Sequence, residues 1–219
     1  MKSPKGADVL ANELRERILS GEFGDGASLP AERDLVVQTR MSRTTVREAL
    51  RILEVQGLIR TRLGRSGGAF VQQPDAEIMA GTVNLLIRGQ RILLPALVET
   101  KQAVEPLCAQ LAAIHRTEDQ LAALEQSNRL LSDASADSAQ FLRAGLDWHL
   151  AIARASQNEV LWGLMAAISR AIHDATDRDA FPDFEARRAT IRAHSAVTNA
   201  IRTQDAEAAA RRMRRHITD

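Results

Sequence analysis

A short basic segment is the first part of the chain whose residue types could do chemistry. Seven arginines and two glutamates lie between positions 40 and 65, whereas the whole chain carries 29 basic and 28 acidic residues. Guanidinium groups bind phosphate oxygens and make paired hydrogen bonds to guanine. A charge run of this kind is more often a solvated helix face, so its place in the fold decides between an ordinary surface and a nucleic-acid interface.

Three of the five histidines form the second candidate set. His149, His194 and His216 each fall in a different predicted helix, so only the packing of those helices can bring them together. Imidazole nitrogens suit Zn, Ni or Mn-like ions. Scattered histidines are usually surface or structural residues, which is how His115 and His173 are interpreted, and spacing alone leaves the metal site open.

The first seventy or so residues are predicted to form three helices and a two-stranded wing. Apolar residues at helical spacing, a serine N-cap and glycines at the element ends delimit these elements. The expected segments are a helix through Leu10, Leu14 and Ile18, helices at 30–38 and from Ser42 to Gly57, and strands at 58–62 and 69–72. Three helices followed by a β-hairpin form a winged helix-turn-helix.

In the third of these helices, the side chains of the first turn are predicted to face away from the core. At 100° per residue its apolar face is an arc of about 100° that comprises Val46, Ala49, Leu50 and Leu53. Arg43 and Arg47 lie beside that arc, and Thr44, a candidate phosphate contact, lies further round. A helix that enters the major groove with its N-terminus needs this arrangement.

Further residues are expected to contact DNA around that helix. The hydroxyl group of Thr45 and the free N–H groups of the helix N-terminus suit phosphate oxygens. Arg33, early in the second helix, is expected to reach a base or a flanking phosphate. In the wing, Arg62 and Arg65 flank glycines, Gly67 among them, which let the backbone approach DNA closely.

The rest of the chain is predicted to be helical throughout. Amphipathic segments cover 76–87, 95–115, 118–131, 138–156, 159–175, 184–202 and 206–216. Six or seven such helices form a closed bundle, with Ala and Leu filling the core because only 3% of the residues are aromatic. The sequence therefore predicts a mainly α protein with domains at 1–72 and 78–219, joined by a linker at 73–77.

Composition excludes several other classes of protein. The single cysteine, Cys108, cannot form an internal disulfide and is interpreted as a core residue. The first residues lack the apolar core of a signal peptide, and no stretch approaches the ~20 apolar residues of a membrane span. A cytoplasmic protein that makes no membrane contact is expected.

Three segments of the first domain resemble a known family. They are LPAERDL (29–35), SRTTVREALRILEVQGLI (42–59) and GRSGGAFV (64–71), and they are similar to the DNA-binding domain of GntR-type regulators over nearly all of 7–72. The resemblance implies that double-stranded DNA is the partner, with Arg33, Arg43 and Arg47 on bases or phosphates. It also implies that Thr44 and Thr45 contact phosphates and that the wing glycines lie near the minor groove.

This chain departs from that family's pattern at two places. Gly24 and Asp25 stand in the loop before the second helix, where the family usually has a proline. Arg40 and Met41 replace a small residue and a valine in the turn. The fold is unaffected by these changes, but the operator sequence cannot be carried over from the family.

The second domain resembles the FCD ligand-binding domain of one branch of the same family. The similarity rests on WHLAIARASQN (148–158), on the spacing from His194 to His216 and on ETKQAVEPLCAQLAA (99–113). It implies a divalent metal ion held by His149, His194 and His216, with open positions that accept a small organic acid.

Two positions depart from the FCD pattern. The family's fourth ligand is an aspartate one turn before the first histidine, where this chain has Gly145. Asp147 points about 160° away around the helix and is a poor substitute. Lys101 stands where an arginine is usual and is a candidate effector contact, although a lysine lacks the bidentate fork.

Three functions are weighed on this basis. The favoured one is a regulator whose operator affinity depends on a small, carboxylate-type effector. The alternatives are a metal-dependent enzyme fused to a DNA-binding module and a constitutive DNA-binding dimer without effector. No carboxylate beside the histidine motifs offers an obvious general base, so the chain is predicted not to be an enzyme. One recognition helix reads few base pairs, so a homodimer on a palindromic operator is expected.

Overall fold

The chain divides into two compact units. A computed structural model describes residues 5–64, 67–74, 76–133, 137–175 and 183–218, and the units are Met1–Ile78 and Met79–Asp219. The division falls inside a helix, directly after the predicted linker at 73–77. The domain limits 1–72 and 78–219 remain a prediction.

The described residues form ten helices and one hairpin. In chain order they are α1 Gly6–Leu19, α2 Glu32–Thr39, α3 Arg43–Val55, β1 Ile59–Arg62, β2 Gly68–Val71, α4 Ala76–Gly89, α5 Leu94–His115, α6 Glu118–Asp133, α7 Ser138–Ala155, α8 Glu159–Ala175, α9 Phe184–Arg202 and α10 Ala206–Thr218. The mainly α fold is therefore confirmed, with three helices and an antiparallel wing followed by seven further helices.

Helix α3 begins and ends where its sequence specifies. The Ser42 hydroxyl accepts a hydrogen bond from the Thr45 backbone N–H at 3.1 Å and so satisfies one of the free donors of the first turn. At the other end Gly57 adopts a φ of 70°, which other residues reach only at a cost. Leu58 then donates back to the Leu53 carbonyl at 3.0 Å and leads the chain into β1.

The wing is a short antiparallel ladder of two strands. Its register pairs Ile59 with Val71 and Arg62 with Gly68. A Cβ atom on Gly67 would lie 2.4 Å from the Arg62 carbonyl oxygen, so the turn requires glycine there. Apolar side chains of the hairpin close the core of the first unit, which also contains Leu10, Leu14, Leu35, Val46, Ala49 and Leu53.

Small residues allow the helices of the second unit to approach closely. On α5 one face is fully buried and consists of Cys108, Ala109, Ala112 and Ala113, as expected for Cys108 from the sequence. Larger side chains fill the remaining space, and they include Trp148, Leu124, Ile152, Met165, Ile201 and Met213. None of the helices in the described part of the chain is long and apolar enough to cross a membrane.

Replacing the cap of α3 is expected to loosen the first unit. Ser42→Ala leaves the Thr45 N–H without its acceptor and lowers the free energy of unfolding of this unit by about 1 kcal/mol. Exchange of the buried α3 amides with solvent deuterium should accelerate about fivefold. Ser42→Gly is the matched control and costs only a few tenths of a kcal/mol. Equal exchange in the alanine variant and the wild type would contradict this account of the helix start.

Candidate functional site

The outer face of α3 carries the arginines singled out in the sequence. Arg43, Thr44 and Arg47 are exposed, while the opposite face of the helix is packed into the core. The Arg47 guanidinium donates to the Glu32 carboxylate at 2.9 Å, and its side chain remains 73% exposed. An exposed pair of this kind contributes about 0–1 kcal/mol, so a phosphate or a guanine can displace Glu32 at little cost.

A groove in the first unit joins α3 to the wing. It has a volume of about 540 Å³, and its lining includes Arg47, Arg62 and Gly67. The Arg62 guanidinium lies over the Phe70 ring, 4.5 Å from its centroid, which holds the side chain against the hairpin. Arg33 is outside this lining with its side chain 87% exposed. Arg65 lies outside the residues that the structure describes.

Thr45 has structural contacts besides its predicted role at phosphate. Its hydroxyl group lies 2.8 Å from the Ser42 hydroxyl. Its methyl group faces α1, where a Cβ atom on Gly6 would lie 3.3 Å away. Thr45 therefore joins the cap of α3 to α1, and phosphate binding by this residue remains a prediction.

In the second unit the three singled-out histidines converge. His149 lies on α7, His194 on α9 and His216 on α10, and one potential ligand atom from each lies within 4.8 Å of the others. The Nε2 atoms of His194 and His216 are 2.9 Å apart. Tetrahedral ligation at 2.0–2.1 Å would put ligand nitrogens roughly 3.3 Å apart, so a small adjustment would admit an ion.

Burial keeps two of these imidazoles in the form that binds metals. Desolvation lowers the pKa of His149 and of His194 well below the ordinary value, with the positive charge of Lys101 acting in the same direction. A neutral imidazole offers a lone pair without first losing a proton. The donor set therefore fits a Zn, Ni or Mn-like ion held by His149, His194 and His216.

A buried carboxylate stands behind the histidines. Glu105 on α5 contacts His149 Nδ1 through Oε1, and Lys101 Nζ is 3.7 Å from its Oε2. Desolvation raises the pKa of the Glu105 carboxyl group, and Lys101 opposes this shift. Glu105 was not among the residues singled out from the sequence, although a charged residue within the apolar stretch 104–111, one turn after Lys101, was a signal of its role.

A cavity of about 240 Å³ opens onto the three histidines. Lys101 and Gly145 line it, together with the apolar side chains of Phe141, Leu142, Leu146 and Ile172 and the polar side chains of Ser169, His173 and Thr190. A Cβ atom on Gly145 would meet Leu131 only at 3.9 Å, so there is room beside His149. Asp147 is exposed and is not among the residues that line the cavity. His173, interpreted as surface or structural, lies in the wall of this cavity instead.

Residues 96–219 match the model of the FCD domain, and residues 7–71 match that of bacterial regulatory proteins, gntR family. The HTH-type transcriptional repressor NanR of Edwardsiella tarda is 29% identical over 215 residues, covering 96% of this chain and 82% of the relative. The NanR repressor of Citrobacter rodentium is 27% identical over 217 residues, with the same coverage.

A solved structure has the same architecture over nearly the whole chain. Streptococcus agalactiae GntR superposes with a TM-score of 0.73 at 28% sequence identity, covering 97% of each chain. The similarity spans both units, so the combination of a winged unit and a helical unit is shared.

The buried state of His194 predicts a pH dependence of stability. Its pKa is lowered in the folded chain, so the unfolded chain binds more protons once the pH falls below about 6.5, and stability is lost in that direction. In metal-free protein, His194→Gln should reduce the slope of unfolding free energy against pH, between about 6.5 and 5, by up to ~1.4 kcal/mol per unit.

Tryptophan fluorescence during chemical denaturation measures the unfolding free energy of the unit that contains His194. Both tryptophans, Trp148 and Trp162, belong to this second unit. His115→Gln is the matched control, since His115 is exposed. Parallel pH curves for wild type and His194→Gln would rule out the buried, neutral state of His194.

Proposed function

The chain belongs to the gntR family of bacterial regulatory proteins and carries an FCD domain, and we propose that it is a repressor whose affinity for its operator is set by a small anionic effector. The matched families and relatives are transcriptional regulators and not enzymes, in agreement with the prediction from the sequence. Relatives of this chain are named as transcriptional repressors, and the same sign of regulation is proposed here. A bacterial operator places the site of action in the cytoplasm.

The exposed first turn of α3 is the observation that supports DNA recognition. Arg43 and Arg47 project from a helix whose other face is packed into the core, so their backbone positions keep a fixed spacing. Fixed forks can pair with the O6 and N7 atoms of guanine. Arg33, Thr44, Thr45 and the wing, with Arg62, Arg65 and Gly67, are proposed to contact phosphates or the edge of the minor groove.

The cavity at the histidines is the observation that supports effector control. It opens to solvent, and its walls combine apolar side chains with a cationic lysine and three imidazoles. A neighbouring cavity of about 290 Å³ shares Thr190 and His216 and is lined by Arg212 and Arg215. Positive groups around both cavities favour an anion. A divalent ion on His149, His194 and His216 would provide a Lewis acid for a carboxylate, with Lys101 as the second contact.

Two copies of the chain are proposed to act together. A palindromic operator presents two half-sites, and a two-fold dimer presents two α3 helices at matching separation. An effector that binds more tightly to one arrangement of the dimer shifts the population toward it, and the two winged units then fit the operator better or worse.

Substitution of Arg47 tests the recognition surface. After selection of bound sequences from a random DNA pool, wild type should enrich a palindrome, whereas Arg47→Ala loses ~1–3 kcal/mol of discrimination at one base pair of each half-site. Arg47→Lys keeps the charge and loses the fork, so its salt dependence should match wild type while its discrimination falls. Arg43→Ala is expected to behave like Arg47→Ala at a different base pair. Unaltered base preference in all three variants would reject α3 as the reading helix.

Effector control is tested by thermal unfolding of the full chain. Small mono-, di- and tricarboxylic acids are screened with the zinc-loaded protein and with protein stripped by chelator, and the neutral amide of each acid serves as control. At 100 times the dissociation constant an effector contributes about 2.7 kcal/mol, which corresponds to roughly 5–10 °C in Tm.

The same effector should change the operator affinity, and its Tm shift should shrink in Lys101→Met and survive in Lys101→Arg. If no acid raises Tm in either metal state, and operator binding is insensitive to all of them, the chain is a constitutive DNA-binding dimer.

A further inference from the structure

Glu105 is the one fully buried carboxylate among the described acidic residues. It is 1% exposed and sits on an otherwise apolar face of α5. An isolated carboxylate in such a place is strongly unfavourable, and it persists only when paired and hydrogen-bonded. Its two contacts are Lys101 on the same helix and His149 on α7. Both residues belong to the proposed ligand site, since Lys101 lines the cavity and His149 is one of the three histidines.

The contact with His149 decides which ring nitrogen can face an ion. A neutral imidazole carries one N–H donor and one lone pair. Glu105 Oε1 lies in hydrogen-bond contact with Nδ1. An ionised carboxylate can only accept, so a charged Glu105 holds the proton on Nδ1 and leaves the lone pair on Nε2. The His149 ring lies parallel to that of His216 at 5.4 Å between centroids and is 5.2 Å from that of His194. Its free edge is thus part of the three-histidine cluster.

Lys101 completes the arrangement on the cavity side. Its ammonium group is 3.7 Å from Glu105 Oε2, its side chain is only 19% exposed, and it lines the cavity. The lysine supplies the counter-charge that lets Glu105 remain a proton acceptor inside the bundle. In turn, the carboxylate holds the ammonium group at the wall where an anion would enter.

We propose that Glu105 is a positioning residue of the ligand site: it fixes His149 as the Nδ1–H tautomer with Nε2 toward the cluster, and it anchors Lys101 at the cavity wall. This inference rests on the proposed metal and effector site, and nothing in it requires Glu105 to touch the ion. Carboxylates that orient a ligating imidazole in this way typically account for a 10–100-fold difference in metal affinity.

A purely structural role for Glu105 makes a different prediction. In that case the carboxylate only satisfies a buried imidazole, and its loss would lower stability without changing how tightly an ion is held. The tautomer of His149 and the zinc affinity therefore distinguish the two roles, because neither quantity follows from stability alone.

The first test uses the metal-free wild-type chain and needs no variant. With ¹⁵N-labelled histidine, long-range proton–nitrogen correlation spectra report which ring nitrogen carries the proton, and His149→Gln identifies the signals. The Nδ1–H form of His149 should dominate. A predominantly Nε2–H form in the wild type would overturn the proposal and leave the regulator assignment intact.

The second test measures zinc affinity by competition with a chromogenic chelator. Glu105→Gln should bind zinc 10–100-fold more weakly than wild type while keeping its helical circular dichroism. Its amide can accept from or donate to Nδ1, so both tautomers of His149 should be populated. Glu99→Gln is the matched control, because it removes an exposed carboxylate from the same helix and should match wild type.

The possible failures can be told apart. Zinc binding in Glu105→Gln equal to that of Glu99→Gln would overturn the positioning role alone. Failure of the wild type to bind zinc at all would overturn both this role and the metal part of the proposed function. DNA recognition by α3 depends on neither result.

Discussion

The stacking of Trp148 against the histidines is the interaction on which the second unit's site depends. The indole ring is fully buried and lies parallel to the His194 ring, with 3.6 Å between centroids. The rings of His149 and His216 are T-shaped to the indole, with 4.9 and 5.9 Å between centroids, so all three imidazoles are packed around one rigid ring. The indole N–H donates to the Thr198 hydroxyl at 3.0 Å, which fixes the rotation of the ring and joins α7 to α9. Close-packed aromatic rings of this kind hold the three imidazoles together without an ion, as the proposed metal site requires.

The sequence predicted where the helices begin and end better than it predicted which side chains of different helices contact one another. Periodicity and end signals located every helix to within a few residues, and Ser42 caps α3 as expected. The three histidines could be singled out because motif and spacing put them on separate helices. Glu105 and the wall position of His173 could not be found in this way. They depend on which face of α5 or α8 meets α7, and that is settled by packing between helices far apart in the chain.

The two units use charged side chains in opposite ways. In the first unit Arg43, Arg47 and Arg33 stand in solvent, where their charge costs nothing and long-range attraction to phosphate is strong. In the second unit Lys101 and Glu105 are taken out of water and must pair. The exposed arginines of the first unit suit a polyanion that binds at the protein surface. The buried pair of Lys101 and Glu105 suits a small ligand. Such a ligand loses its hydration on entering the cavity, so it binds favourably only where direct contacts replace the lost water.

The surroundings of the three histidines suit the proposed ligand binding better than catalytic turnover. A hydrolytic metal site needs a base that takes a proton from water and a path by which that proton leaves. No carboxylate appears among the described residues that line the cavity, and Glu105 behind it is occupied by His149 and Lys101. An anion that enters would meet Lys101 and the imidazoles directly. In the proposed dimer, the free energy of its binding would be available to shift the equilibrium between arrangements of the two copies, which is what control of operator affinity requires.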